Sequence, residues 1–174
     1  MPAPAAPSRP DVPALPPVLE FLRVLWSLNH ALETTSSDMQ RRFGVTAQQR
    51  MVLRIVGVLG PSPAGRLSRV LHVHPGTLSA TLARLERRGL VQRTRGATDA
   101  RRVVVSLTEA GATLLSHSEG TVERAATAAL EAATDEVRAH ALQLLGRLTT
   151  ELEGTRTAAT PGSESAVPAE DAPP

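Results

Sequence analysis

Residues 72–107 read HVHPGTLSATLARLERRGLVQRTRGATDARRVVVSL. His74-Pro75 puts a proline at the first position of a helix, where its missing N–H is one of the groups that would be unpaired anyway. Leu78, Leu82 and Leu85 then fall on one stripe, and Arg88-Gly89 supplies a stop. Two β-prone runs follow, 90–94 and 103–107, joined by the polar, glycine-containing segment 95–102. That pattern predicts a hairpin. A helix leading directly into a hairpin is the arrangement of a recognition helix and its wing.

Working outward, Ser62-Pro63 predicts a cap and an N1 proline for a short helix through Leu67 and Leu71. With His72-Val73-His74 between them, the two short helices form a helix-turn-helix. Upstream, Thr46-Ala-Gln-Gln49 fits a capping box, opening a helix with Val52, Ile55, Val56 and Leu59 inward. Residues 17–43 carry Val18, Leu22, Leu25, Leu28 and Leu32 at helical spacing, and Gly44 is a plausible stop. Such a helix is about 40 Å long, more than a small core covers, so it is expected to pack against a partner. Downstream, Thr108 is expected to cap a helix running to about Ala132. Thr134 should open a last one with Val137, Leu142, Leu145, Leu148 and Leu152.

The expected fold is mainly α: a winged helix-turn-helix with a small β-hairpin wing and long N- and C-terminal dimerisation helices. Of 14 prolines, seven lie in residues 1–17 and four in 161–174. Residues 1–16 and 154–174 therefore read as disordered tails around one domain, 17–153. The N-terminus lacks the apolar core of a secretory signal, and no run is long enough for a membrane helix. A cytoplasmic protein with no membrane partner is expected.

The chain has no cysteine and no lysine, so its 19 basic residues are all Arg. Thiol redox sensing and thiolate metal sites are excluded within it. Residues 41–102 hold 13 Arg against Glu86 and Asp99, a net +11 between flanks of −2 and −7. A basic middle of this kind suits a phosphate-bearing partner.

With Leu78, Leu82 and Leu85 inward, Gly76, Ala80, Ala83 and Arg87 face out, flanked by Thr77 and Arg84. Small outward residues let a helix lie deep in a major groove about 12 Å wide. Thr77 and Ser79 can bond phosphates or base edges, and Arg84 can reach guanine. The wing brings Arg93, Arg95, Arg101 and Arg102 together with Asp99 on a short ribbon, with no evident structural gain. A narrow, negative minor groove would resolve their repulsion. The candidate DNA-binding set is Arg66, His74, Gly76, Thr77, Ser79, Ala80, Arg84, Arg87, Arg95, Asp99, Arg101 and Arg102.

His72 and His74 form a His-x-His pair with no acidic or thiolate residue adjacent, which fits phosphate contact or solvent exposure better than metal. No nucleophile elbow, phosphate-cradling glycine loop or zincin motif is present, so no enzyme, cofactor or metal is expected. A winged helix that binds protein instead of DNA is the alternative. It would call for an acidic or apolar face, and this one is basic.

Three motifs resemble the MarR-type (multiple antibiotic resistance regulator) family over about residues 17–153. They are Gly65-Arg-Leu-Ser-Arg-Val-Leu71 with Val73; Pro75-Gly-Thr-Leu-Ser79 leading to Leu85-Glu-Arg-Arg-Gly-Leu-Val91; and Asp99-Ala-Arg101 leading to Leu107-Thr-Glu-Ala-Gly111. The resemblance implies a homodimer with interlocking outer helices, Arg101 in the minor groove and Asp99 orienting it. It also implies a transcriptional regulator of double-stranded operator DNA, most often a repressor, with a small effector bound between the winged-helix lobe and the dimerising helices. That crevice would be lined by Leu22, Trp26 and the start of the helix after Gly44. Two departures stand out: His72 replaces a frequent glycine at a position that often needs positive φ, and Ala100 replaces a frequent Arg.

Overall fold

A computed structural model of the chain describes residues 15–95 and 103–158. The chain falls into two compact units, Met1–Ala126 and Thr127–Pro174. The element order is α1 (Pro17–Phe43), α2 (Ala47–Leu59), β1 (Ser62–Pro63), α3 (Ala64–Leu71), α4 (Pro75–Arg87), β2 (Val91–Arg95), β3 (Val103–Leu107), α5 (Glu109–Ser116), α6 (Val122–Glu131) and α7 (Asp135–Ala158).

α1 ends on Gly44 at φ 71°, as its sequence suggests. Only Met39 of this 27-residue helix is buried; Val18, Leu19, Val24, Trp26, Leu28 and Leu32 are exposed. At α2 both halves of the capping box form. Thr46 Oγ1 accepts from the Gln49 amide at 3.1 Å, and the Gln49 side chain accepts from the Thr46 amide at 3.2 Å. Val52, Leu53 and Val56 enter the core with Val45, Leu67, Leu78, Leu82, Leu85, Leu90, Val91, Val105 and Leu115. Ile55 and Leu59 pack partly buried against it.

Two expectations are corrected. Ser62-Pro63 does not cap α3: it forms β1, pairing antiparallel with Val105 and Val104 in a sheet of order β1-β3-β2. Ser62 is buried, and α3 starts at Ala64 with no side-chain cap. The main-chain ladder to β3 outcompetes a local cap here, because it satisfies backbone groups that the core removes from water.

The second correction concerns the long helix expected from Thr108 to about Ala132, which is broken into α5 and α6. Arg50 is the cause. Its guanidinium, fully buried, donates to the carbonyls of Leu114 (2.9 Å), Leu115 (3.2 Å) and His117 (2.6 Å), and Nε meets Glu123 Oε1 at 2.7 Å. Carbonyls that would have continued the helix ladder accept from Arg50 instead. Gly120 turns the chain at φ 71°, and Thr121 Oγ1 receives the Arg124 amide at the start of α6. Arg50 thus leaves the basic middle and becomes part of the interior.

Thr108 closes the corner between wing and α5. Its Oγ1 accepts from the Gly111 amide at 3.1 Å and donates to the Gly89 carbonyl at 2.6 Å; its amide donates to Leu90 at 3.2 Å. A Cβ at Gly111 would run into the Leu90 carbonyl oxygen and the Leu107 side chain. That close approach is the physical content of the Leu107-Thr-Glu-Ala-Gly111 motif.

In the second unit, α7 opens where Thr134 Oγ1 accepts from the Val137 amide and runs to Ala158, past residue 153. Val137, Leu142, Leu144, Leu145 and Leu152 along it are exposed.

Candidate nucleic-acid interface

The turn between α3 and α4 is set by His72, the one non-glycine residue with positive φ among those described (φ 50°, ψ 43°). Its amide donates to Arg69 and that of Val73 to Ser68, closing the end of α3. Histidine therefore sits where left-handed backbone is needed, in keeping with the glycine it replaces.

His74 is the N-cap of α4. Its Nδ1 accepts the Gly76 amide at 3.2 Å, which leaves the proton of the neutral ring on Nε2, on an exposed side chain. A side chain at Gly76 would bring its Cβ to 3.3 Å from that nitrogen. Gly76 thus gives room to the cap as well as to anything approaching the helix.

Leu78, Leu82 and Leu85 are buried as the spacing requires, and Gly76, Thr77, Ser79, Ala80, Arg84 and Arg87 are exposed. Ala83, expected to face out, is half-buried. It lies on one ridge of α4 with Ser79 and Glu86, the flank that Arg93 of β2 engages. Arg66 is exposed on α3. Arg95 ends β2, opposite Val103. Asp99, Arg101 and Arg102 lie outside the described residues, as does Ala100.

Arg93 is where the wing departs from expectation. Its Nε lies 3.2 Å from Glu86 Oε2, and its Nη2 donates to the Ser79 carbonyl at 3.2 Å. This arginine does have a structural partner. Arg88 reaches the Phe43 carbonyl at 3.3 Å, and Arg54 lies 3.5 Å from Glu123. With Arg50, with Arg41 paired to Asp38 and with Arg42 over the Phe43 ring, six arginines of the basic middle are engaged with the protein itself. Arg66, Arg84 and Arg87 stay exposed around the helix-turn-helix.

A groove of about 940 Å³ opens beside the start of α2, lined by Leu32, Glu33, Ser36, Ser37, Ala47, Gln48, Met51, Val122 and Glu123. Leu22 and Trp26, expected to line a crevice there with the start of α2, do not border it. They lie further toward the N-terminal end of α1, where Trp26 is 72% exposed. No described helix is long and apolar enough to cross a membrane.

A capped helix with small and cationic residues outward, following a tight turn and leading into a hairpin, defines a winged-helix DNA-binding protein. The family model of the winged helix DNA-binding domain matches residues 45–111. Among solved structures, the chain is similar to a mutant MarR from E. coli complexed with operator DNA, at 25% identity and TM-score 0.60, over 75% of this chain and 94% of that one. It is similar to a probable transcriptional regulator from Pseudomonas aeruginosa at 28% identity and TM-score 0.55, covering 71% and 94%. It shares the fold of the PcaV transcriptional regulator from Streptomyces coelicolor, solved with its natural ligand, at 19% identity and TM-score 0.63, covering 80% and 98%. No curated protein sequence matches the chain. The chain carries a winged helix DNA-binding domain and is similar to MarR-type transcriptional regulators of known structure.

Proposed function

We propose that this protein is a cytoplasmic, ligand-responsive repressor that binds its operator as a homodimer. The observation that carries the reading is the outward face of α4, where Gly76, Thr77, Ala80, Arg84 and Arg87 are all exposed beside a capped N-terminus. This helix enters the major groove. Thr77 and Ser79 bond phosphates or base edges, and Arg84 reads guanine bidentately. His74 offers Nε2–H, and Arg66 its guanidinium, to the backbone. Arg95 and Arg102 flank Arg101, which enters the minor groove, with Asp99 orienting it.

The dimer reading rests on apolar surface. α1 exposes Val18, Leu19, Val24, Trp26, Leu28 and Leu32, and α7 exposes Val137, Leu142, Leu144, Leu145 and Leu152. Rows of large apolar side chains left exposed along two long helices mark a surface that a partner covers. A second copy supplies it and sets two recognition helices about 34 Å apart, one duplex turn.

The groove beside α2 is the place for an effector. A ligand that favours a different spacing of the two recognition helices lowers operator affinity, and DNA lowers ligand affinity by the same factor. Selecting bound duplexes from a random pool tests the DNA half of this reading. A recurrent two-fold symmetric site is the expected result, and recovery of unrelated sequences would refute it.

A further inference from the structure

The DNA-binding reading assigns outward-facing arginines to DNA; Arg93 calls for a different role. Along β2 the side chains alternate: Val91 buried, Gln92 exposed, Arg93 half-buried, Thr94 exposed. Arg93 stands opposite buried Val105. The pleat therefore aims Arg93 at the flank of α4, and its two contacts there are Glu86 Oε2 and the Ser79 carbonyl, each at 3.2 Å. Ser79 and Glu86 are seven residues apart on one ridge, so a single guanidinium ties together residues two helical turns apart, the Glu86 side chain leaning back toward the Ser79 carbonyl.

Glu86 is the one acidic residue of α4. Unpaired, its carboxylate would oppose any polyanion approaching this helix. Paired, it becomes the anchor that holds the wing.

We infer that Arg93 is a positioning residue: through Glu86 and the Ser79 carbonyl it locks the wing to the recognition helix, so that both enter the duplex as one rigid piece. It acts through α4 and makes no phosphate contact of its own. The helix must sit in one groove while the wing tip reaches the next, so a swivel between them costs affinity without removing any DNA contact.

The inference rests on DNA binding by this face, and the experiment separates the two. The full-length chain, Arg93→Gln, Glu86→Gln and the double variant are titrated with the duplex that the wild type selects, over a series of salt concentrations. Melting curves check folding. Failure of the wild type to bind duplex would refute the functional reading itself. Given wild-type binding, each single substitution is expected to weaken it by roughly threefold to tenfold, with the double variant no weaker than the worse single. The slope of log K against log salt should stay at the wild-type value. Glu86→Gln is the sharper probe, because removing a negative charge should tighten binding if electrostatics alone mattered. Tighter binding by Glu86→Gln, or a slope reduced by about one in Arg93→Gln, would mark Arg93 as a phosphate ligand and overturn the proposal. Unchanged affinity in both singles would overturn it too. Should Arg93→Gln fail to fold, Arg93→Lys keeps the charge but cannot span both partners. A loss at unchanged slope is then expected, and wild-type affinity would refute the lock.

Discussion

Arg50 Nε and Glu123 Oε1 meet at 2.7 Å across 73 positions of sequence, with the arginine wholly inside the protein. The same guanidinium takes up three carbonyls at the end of α5 and stands 5.9 Å from the centre of the Phe43 ring. It joins α2, the α5–α6 corner and the end of α1. Removing it leaves Glu123 only the longer contact to Arg54 and takes a donor from three main-chain acceptors, of which Leu115 keeps Arg54; breaking a buried pair of this kind costs up to about 3–5 kcal/mol. Arg50→Met is expected to lower unfolding free energy by that amount in urea. A change below about 1 kcal/mol would mean that water replaces the guanidinium.

At the wing corner, Gly111→Ala introduces a Cβ against the Leu90 carbonyl and Leu107. The corner must open to take it, at about 1–3 kcal/mol. Chemical denaturation of the variant checks this, and wild-type stability would show that the corner yields freely.

His72 holds φ 50° with a full side chain. His72→Gly should raise stability by up to about 1 kcal/mol, and His72→Val should lower it. Matching thermal midpoints for the two variants would contradict the strain assigned to this turn.

The cap on α4 can be separated from any DNA contact by His74. His74→Ala should lose about 1 kcal/mol of stability, which His74→Asn restores, because asparagine accepts the same amide. If His74 also donates to phosphate through Nε2, the asparagine variant keeps its stability but binds duplex more weakly than wild type. Equal stability of the alanine variant and wild type would remove the capping role.

What could be read from the sequence is what depends on neighbours along the chain. The Thr46–Gln49 capping box, the Leu78-Leu82-Leu85 stripe and the Gly44 stop are local signals, and all three form; the left-handed turn at His72, implied only by the family resemblance, forms as well. The misreadings have distant causes. Ser62-Pro63 looks like a cap until Val104 and Val105 pair with it from another part of the chain. The segment after Thr108 looks like one helix until Arg50 removes its carbonyls, though Ser118-Glu-Gly-Thr121 was the available warning of a turn. Arg93 looks like a wing arginine with no structural partner until the hairpin register turns it toward Glu86.

Exposed apolar surface on α1 and α7 leads to a test of assembly. Light scattering of the full chain at micromolar concentration should give twice the mass of the 18.4 kDa chain. A stable folded monomer would contradict the dimer.

Binding of duplex DNA by α4 and the wing together is tested by a salt titration of the wild type and Arg101→Ala on one selected duplex. With about six phosphate contacts, log K for the wild type should fall linearly with log salt at a slope near −5. Arg101→Ala should lose more than about 1 kcal/mol of binding at fixed salt while its melting temperature stays that of the wild type. A flat salt dependence, or equal affinity of the two proteins, would contradict the account.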